Sequence, residues 1–397
     1  MASASSTPRP PALVLGSGNT ALGAIRALGR RGIPLYVGSP VRRYEAASRW
    51  YRPVPGRWDA PTLAANLGRC GLERAVVIPT SDEDALAAAT LPAGLRARFP
   101  SATARPELIR ALTDKALFAE LLARFDTPRP RTWRLDSLDA LDTLDDETLD
   151  AGFLKPRDSL AFLRVFNRKS MRPRSRASTR QVLEELVRSG FEMVLQEYVP
   201  GPPTHCYLLD GFIDREGRVR GLFARQRLRQ FPSDFGNSTA VRSVAREEVR
   251  DAEEALLDVL GGIGYRGVFN AEFKRDARDG SFRLFEINPR VWWYVEFAQR
   301  CGIDTVTMSY RDALGEPVET APAYDVGRTV VFPYFDVAAC RARISVGEMS
   351  LLDAVRSWKS SEQLIYAPDD PRPGFADAWQ LASGWIGRRL PGARATD

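Results

Sequence analysis

Val268-Phe269-Asn270-Ala271-Glu272-Phe273-Lys274 and Phe282-Arg283-Leu284-Phe285-Glu286-Ile287-Asn288-Pro289-Arg290 are the two stretches whose reading decides this chain. They read as the paired strands of one hairpin. Strand alternation puts Glu286 and Asn288 on one face of the second run, and Glu272 can sit beside them across the turn. Two carboxylates and one amide oxygen are hard oxygen donors. They suit Mg²⁺, with Mn²⁺ as a substitute, because that ion keeps several waters and takes further ligands from bound phosphates. An amphipathic surface hairpin would carry the same acids facing water. Against it, Phe285 and Ile287 are interleaved with the polar residues and Pro289-Arg290-Val291-Trp292-Trp293 follows at once, an apolar mass able to shelter a site.

The 397 residues exceed one ordinary core and point to two or three domains. Hydrophobic residues make up 44% and charged residues 27%, the balance of a soluble globular protein. No apolar run reaches the ~18 residues of a membrane span. Met1 to Pro11 is small, polar and proline-rich, without the apolar stretch of a secretory signal; it reads as a disordered leader, with the cytoplasm as the expected address. Cys70, Cys206, Cys301 and Cys340 are widely scattered, which argues against a zinc cluster and against a disulfide framework.

Of the 56 basic residues only Lys115, Lys155, Lys169, Lys274 and Lys359 are lysine, the rest being arginine. In such a chain each lysine invites a reason: a compact ammonium suits phosphate oxygens, where arginine offers a planar fork. The net charge of +6 is spread along the chain with acids among it, so acidic small molecules explain it as well as nucleic acid does.

Upstream, apolar runs alternate with helical patterns: Ala12 to Gly16, a helix near Asn19 to Arg31, Pro34 to Ser39, a helix near Asp59 to Cys70, and Arg74 to Thr80. This order predicts a doubly wound parallel α/β domain. Its first turn, Gly16-Ser17-Gly18-Asn19-Thr20-Ala21-Leu22-Gly23, would bring backbone amides to an anion at a helix N-terminus. The dinucleotide fingerprint is not met, because the last glycine spacing is too long and no acid ends the second strand. Thr113 to Arg124 reads as a helix starting at Thr113 or Asp114, and Asp136 to Asp150 as an acidic surface helix and turn. From Gly152 the pattern becomes α+β, with strands at Phe153 to Pro156, Arg164 to Met171, Met193 to Val199, Cys206 to Asp214 and Val219 to Arg229, and a helix from Arg246 to Leu260.

Glu272 followed by Glu286-x-Asn288-x-Arg290 resembles the metal-binding signature of the ATP-grasp superfamily, which includes D-alanine:D-alanine ligase and biotin carboxylase. Phe273-Lys274-Arg275-Asp276 and Trp292-Trp293 are similar to the corresponding segments of its carboxylate-amine ligases. The resemblance spans about residues 10 to 315 and implies an N-terminal α/β domain over 12–112, a small lobe over 113–200, a large metal-bearing lobe over 201–324 and a C-terminal extension over 325–397.

It also implies roles. Glu272, Glu286 and Asn288 would hold Mg²⁺ against ATP, with Lys115 and Lys155 on its phosphates. Leu195-Gln196-Glu197-Tyr198-Val199-Pro200-Gly201 would be the linker around adenine, with backbone at Glu197 to Val199 reading the purine and Thr204 or His205 near the ribose. Arg290 would stabilise the tetrahedral intermediate as a carboxylate, activated as an acyl phosphate, is joined to an amine. Small carboxylates and amines, amino acids among them, are the implied substrates; neither nucleic acid nor a membrane is an expected partner, and a homodimer is left open.

One departure is visible: Arg157 to Met171 contains no glycine where many members carry a glycine-rich phosphate loop, and holds Arg164, Arg168 and Lys169 instead. A basic lid and a solvated loop explain it equally. In Arg225-Gln226-Arg227-Leu228-Arg229 alternation sets three guanidinium groups on one face, which asks for an anion, a γ-phosphate or a substrate carboxylate, together with Asn237, Ser238 or Thr239. Thr80-Ser81-Asp82-Glu83-Asp84 resembles an acidic loop on the substrate side, and reads equally as a helix cap. The rival readings are the same fold with a carboxylating or kinase-like acceptor, a nicotinamide-dependent oxidoreductase using the first glycine turn, and a non-catalytic ATP sensor. The oxidoreductase leaves the hairpin unexplained.

Overall fold

The computed structural model describes residues 9–389 apart from 57, 159–161, 163–164, 167–169, 173–174 and 233–235, and the side chains of 381–389. Lys169, Arg164 and Arg168 therefore lie outside the described residues.

Strands β1 (Ala12–Leu15), β2 (Leu35–Gly38) and β3 (Val76–Pro79) form a parallel sheet in the order β2-β1-β3. Their continuous apolar runs are buried, as expected of parallel strands covered on both faces. The crossover helix Gly18–Arg30 packs Leu22, Ile25 and Leu28 inward. At the end of β1, Gly16 has φ +117, and a Cβ there would lie 2.1 Å from Thr80 Oγ1, whose hydroxyl donates to the Leu15 carbonyl. The glycine in this turn is thus explained by backbone conformation and by Thr80 packing beneath it.

The small lobe is a three-stranded antiparallel sheet in the order β4-β6-β5, with β4 at Thr132–Leu135, β5 at Gly152–Pro156 and β6 at Met193–Glu197. The helix Arg176–Arg188 packs Leu183 and Leu186 into its core. The expected strand at Arg164 to Met171 is not one among its described residues: Val165 and Phe166 are helical, and Met171 makes a single antiparallel bridge to Leu154. The acidic segment forms two short helices, Leu138–Asp142 and Asp146–Asp150. Asp146 and Asp142 there receive Arg176 and Arg180, so these two members of the basic run that follows are answered within the lobe.

The large lobe is built on a seven-stranded sheet in the order β11-β10-β7-β8-β9-β12-β13. Its strands are β7 (Cys206–Ile213), β8 (Val219–Phe231), β9 (Asn237–Ser243), β10 (Gly267–Arg275), β11 (Phe282–Asn288), β12 (Thr329–Val331) and β13 (Glu362–Gln363). The boundary expected at 324/325 falls inside this sheet, because β12 pairs directly with β9. The C-terminal segment is also fastened to the first domain. Arg26, fully buried, donates to Glu296 at 2.8 Å, to Asp370 at 3.0 Å and to the Ile365 carbonyl at 2.7 Å. A guanidinium so buried requires this complete set of acceptors, which defines how three parts of the chain meet.

Candidate active site

The β10–β11 ladder places Glu272 directly opposite Glu286 and Asn270 opposite Asn288, so all four side chains project from one face. The register shifts immediately after Glu272, where β11 carries one extra residue. No group of three or more His, Cys, Asp or Glu side chains suited to a metal occurs among the described residues. Two carboxylates and an amide oxygen cannot complete a cation's shell alone. That donor set fits Mg²⁺, which leaves most of its sites to water and phosphate.

Basic side chains converge on this rung from other elements. Lys115 is buried and its Nζ lies 3.3 Å from Glu286 Oε1. Asp114 caps the helix Lys115–Arg124, accepting from the amides of Ala116 and Leu117, and its carboxylate also pairs with Arg157 at 2.7 Å. The cap sets where the helix begins and hence where Lys115 points. Lys155, on β5, donates to Gln196 Oε1 at 2.8 Å and lies 5.6 Å from the ring of Phe285, which brings the small lobe against the hairpin.

The three arginines of β8 find the anions that their alternation called for, and these are the protein's own. Arg225 pairs with Asp210 at 2.7 Å, Arg227 with Glu272 at 2.8 Å and Arg229 with Asp336 at 2.7 Å. The expected ligand-facing role of Arg225 is corrected by its position: it is 2% exposed, between fully buried Asp210 and the ring of Tyr294. Arg229 is likewise committed to Asp336, which accepts from Thr239 and Trp358 as well. Arg227 is the member that reaches the hairpin, and it is braced by Ser238 and Gln230.

Arg290 spans the domains, donating to Asp82 at 3.1 Å and to Asn288 Oδ1 at 3.1 Å. In the Thr80 segment Ser81 caps the helix Asp82–Ala89, and Asp82 accepts from Arg290 beside the hairpin.

The linker is more heavily engaged than expected. The Glu197 amide donates to the Arg131 carbonyl and the Tyr198 amide to the Ala151 carbonyl, each at 2.8 Å. Neither is free to read a purine; Val199 is the member of the three whose amide has no such partner among the described residues. The Glu197 carboxylate accepts from Arg278 at 2.7 Å and from the Arg131 amide at 3.0 Å. Burial would raise its pKa, but these donors prevail and hold it below the ordinary range. His205 sits in a 3₁₀ turn with Nδ1 3.0 Å from the Arg275 carbonyl, so that ring nitrogen is already engaged.

Lys274 is a further lysine at this face, one to which the resemblance assigns no role. It shares a face of β10 with Asn270 and Glu272, and its ammonium lies 5.0 Å from the Tyr198 ring centre, while Arg172 lies 5.3 Å from the same ring. Burial pushes its pKa down. The scarcity of lysine was the signal that could have found it. Asp82 and Asp210, whose partners are remote in sequence, carried no local signal for those pairings.

No family model matches the chain. D-aspartate ligase of Enterococcus faecium is 27% identical over 193 residues, covering 46% of this chain; the match spans 45% of that relative, less than half its length. The biotin carboxylase domain of Hydrogenobacter thermophilus 2-oxoglutarate carboxylase, solved as a dimer with MgADP, ADP and bicarbonate, superposes with a TM-score of 0.63 at 17% identity, covering 81% of this chain and 74% of that one. Carboxyaminoimidazole ribonucleotide synthase of Aspergillus clavatus, complexed with ATP, gives 0.60 at 16% identity and covers 80% of each chain. At these structural identities the likeness is one of fold.

Proposed function

We propose that the protein is an ATP-dependent ligase that activates a carboxylate as an acyl phosphate and couples it to an amine, with release of ADP and phosphate. The observation that carries this reading is the Glu272–Glu286 rung with Asn288 beside it, met by Lys115 at the start of the helix Lys115–Arg124 and flanked by Arg290, which reaches Asp82 of the first domain. Glu272, Glu286 and Asn288 would hold Mg²⁺, or Mn²⁺ in its place, which when bound neutralises phosphate charge. Lys115 and Lys155 would bind the polyphosphate. The carboxylate oxygen forms a bond to the γ-phosphorus as the bond to ADP breaks; the amine nitrogen then attacks the acyl carbon, loses a proton and expels phosphate. Arg290, oriented by Asp82, would stabilise the oxyanion of that second step, and Arg227 would hold Glu272 in place. No side-chain nucleophile is needed, since the chemistry is positioning and charge neutralisation.

The likeness to D-aspartate ligase favours an amino acid as one substrate. The dimeric carboxylase domain supports a homodimer. All four cysteines are free thiols, in keeping with the cytoplasm, and no described helix is long and apolar enough to cross a membrane. The test is ADP release from ATP against a panel of acids and amines. Ligation requires release that depends on both, and hydroxylamine in place of the amine should trap an acyl hydroxamate. ADP release with bicarbonate and no amine, or with an alcohol acceptor and no hydroxamate, would instead favour carboxylation or kinase-like transfer.

A further inference from the structure

An asparagine is an ambiguous metal ligand, because rotating its amide by half a turn replaces an oxygen with an NH₂ group of nearly the same shape. The metal hairpin contains a hydrogen-bonded relay that removes the ambiguity. Asn288 Nδ2 donates to Asn270 Oδ1 at 3.1 Å, and Asn270 Nδ2 in turn donates to Asp210 Oδ1. Asp210 accepts at its other oxygen from Arg225 Nε at 2.7 Å. At the opposite end, Arg290, which can only donate, gives a hydrogen bond to Asn288 Oδ1. The relay thus runs from an acceptor at one end to a donor at the other. Reversing either amide alone would set oxygen against oxygen and N–H against N–H. Asn270 and Asp210 are both buried, so water cannot readily repair such a mismatch.

We propose that Asp210 and Asn270 are positioning residues that turn the oxygen of Asn288, and not its nitrogen, toward the metal position, with Arg225 holding Asp210 as the acceptor that sets the direction. This explains why an arginine of the β8 row is buried beneath the site. The inference rests on the metal reading of the hairpin.

The test is Mn²⁺ binding to the full-length protein in the presence of ADP, followed by electron paramagnetic resonance, with metal-free ADP binding measured by calorimetry. Asp210→Asn keeps the shape of the side chain but allows an NH₂ group to face Asn270, which would reverse the relay. Mn²⁺ affinity should fall about tenfold or more, the scale of lost outer-shell support, while metal-free ADP affinity stays within twofold. Asn270→Ala, which breaks the relay without leaving Arg225 unpaired, should do the same and serves if Asp210→Asn does not fold. In an Asn288→Asp background the ligand has an oxygen on both branches, so adding Asn270→Ala should change Mn²⁺ affinity less than twofold. An equal loss in both backgrounds would mark a packing defect, and no loss with Asn288 intact would mean the relay is idle; either overturns the proposal. Glu286→Gln separates the two levels. Wild-type Mn²⁺ affinity in that variant would remove the metal reading itself, whereas its loss beside unaffected relay variants would remove only the relay.

Discussion

Glu272 and Glu286 stand opposite one another on a single rung of the β10–β11 ladder, and each is met by a cation from another element: Arg227 at 2.8 Å and Lys115 at 3.3 Å. Two like charges facing across a strand pair are unfavourable unless something positive lies between or beside them. In the proposed reaction that something includes the metal. Glu286→Gln should therefore leave a folded protein that still binds nucleotide but turns over at least about a hundredfold more slowly, some 3 kcal/mol of transition-state stabilisation. Initial rates with the productive acid and amine, beside a thermal melt, check this. Undiminished turnover would end the ATP-grasp ligase reading.

Lys115, at the start of its helix, and Lys155, on β5 of the small lobe, both approach the hairpin, one against Glu286 and one near Phe285. Alanine at either should weaken ATP binding by about tenfold, on the order of 1.4 kcal/mol, as measured by calorimetry. Lys155→Arg should recover only part, because a planar fork does not replace a point charge. Unchanged ATP affinity in both alanine variants would show that neither lysine meets the phosphates.

Asp336 is the acceptor on which Arg229, Thr239 and Trp358 converge, and it belongs to the C-terminal segment. Its removal strands a buried guanidinium. Asp336→Ala should cost about 3–5 kcal/mol in denaturant unfolding, the scale for breaking one side of a buried pair. A loss below about 1 kcal/mol would mean that water or another acid takes its place.

Asp276, at the turn of the β10–β11 hairpin, is held at about 2 by hydrogen bonds from Arg278, with Arg283 adding its charge against the opposing effect of burial. The folded value lies below the unfolded one, near 4, so the pair stabilises the fold above that pH and the benefit fades as pH falls from about 4 to about 2. Asp276→Asn should lose about 1–2 kcal/mol at pH 7, allowing for solvent around Arg278, and its stability should fall less steeply toward acid. Urea unfolding at pH 7, 4 and 3 reads both effects. Parallel pH profiles for the two proteins would show that Asp276 does not supply the acid sensitivity.

The parts legible in the sequence are those governed by short-range periodicity. Alternation of polar and apolar residues set Glu286 and Asn288 on one face, and a capping aspartate marked the start of the helix that carries Lys115. The scarcity of lysine marks Lys115 and Lys155, and marks Lys274 equally. Alternation likewise put Arg225, Arg227 and Arg229 on one face, yet it could not say which anions they meet. Their partners are Asp210, Glu272 and Asp336, on β7, on β10 and in the C-terminal helix Pro333–Ser345. Those pairings follow from the order of strands across the sheet, in which β10 adds beside β7 and β12 beside β9. Which residues share a face depends on a repeat of two along the backbone, and the amino-acid sequence alone determined it. Which charges meet depends on how distant strands are laid side by side to bury their apolar faces, and only the tertiary structure decided that.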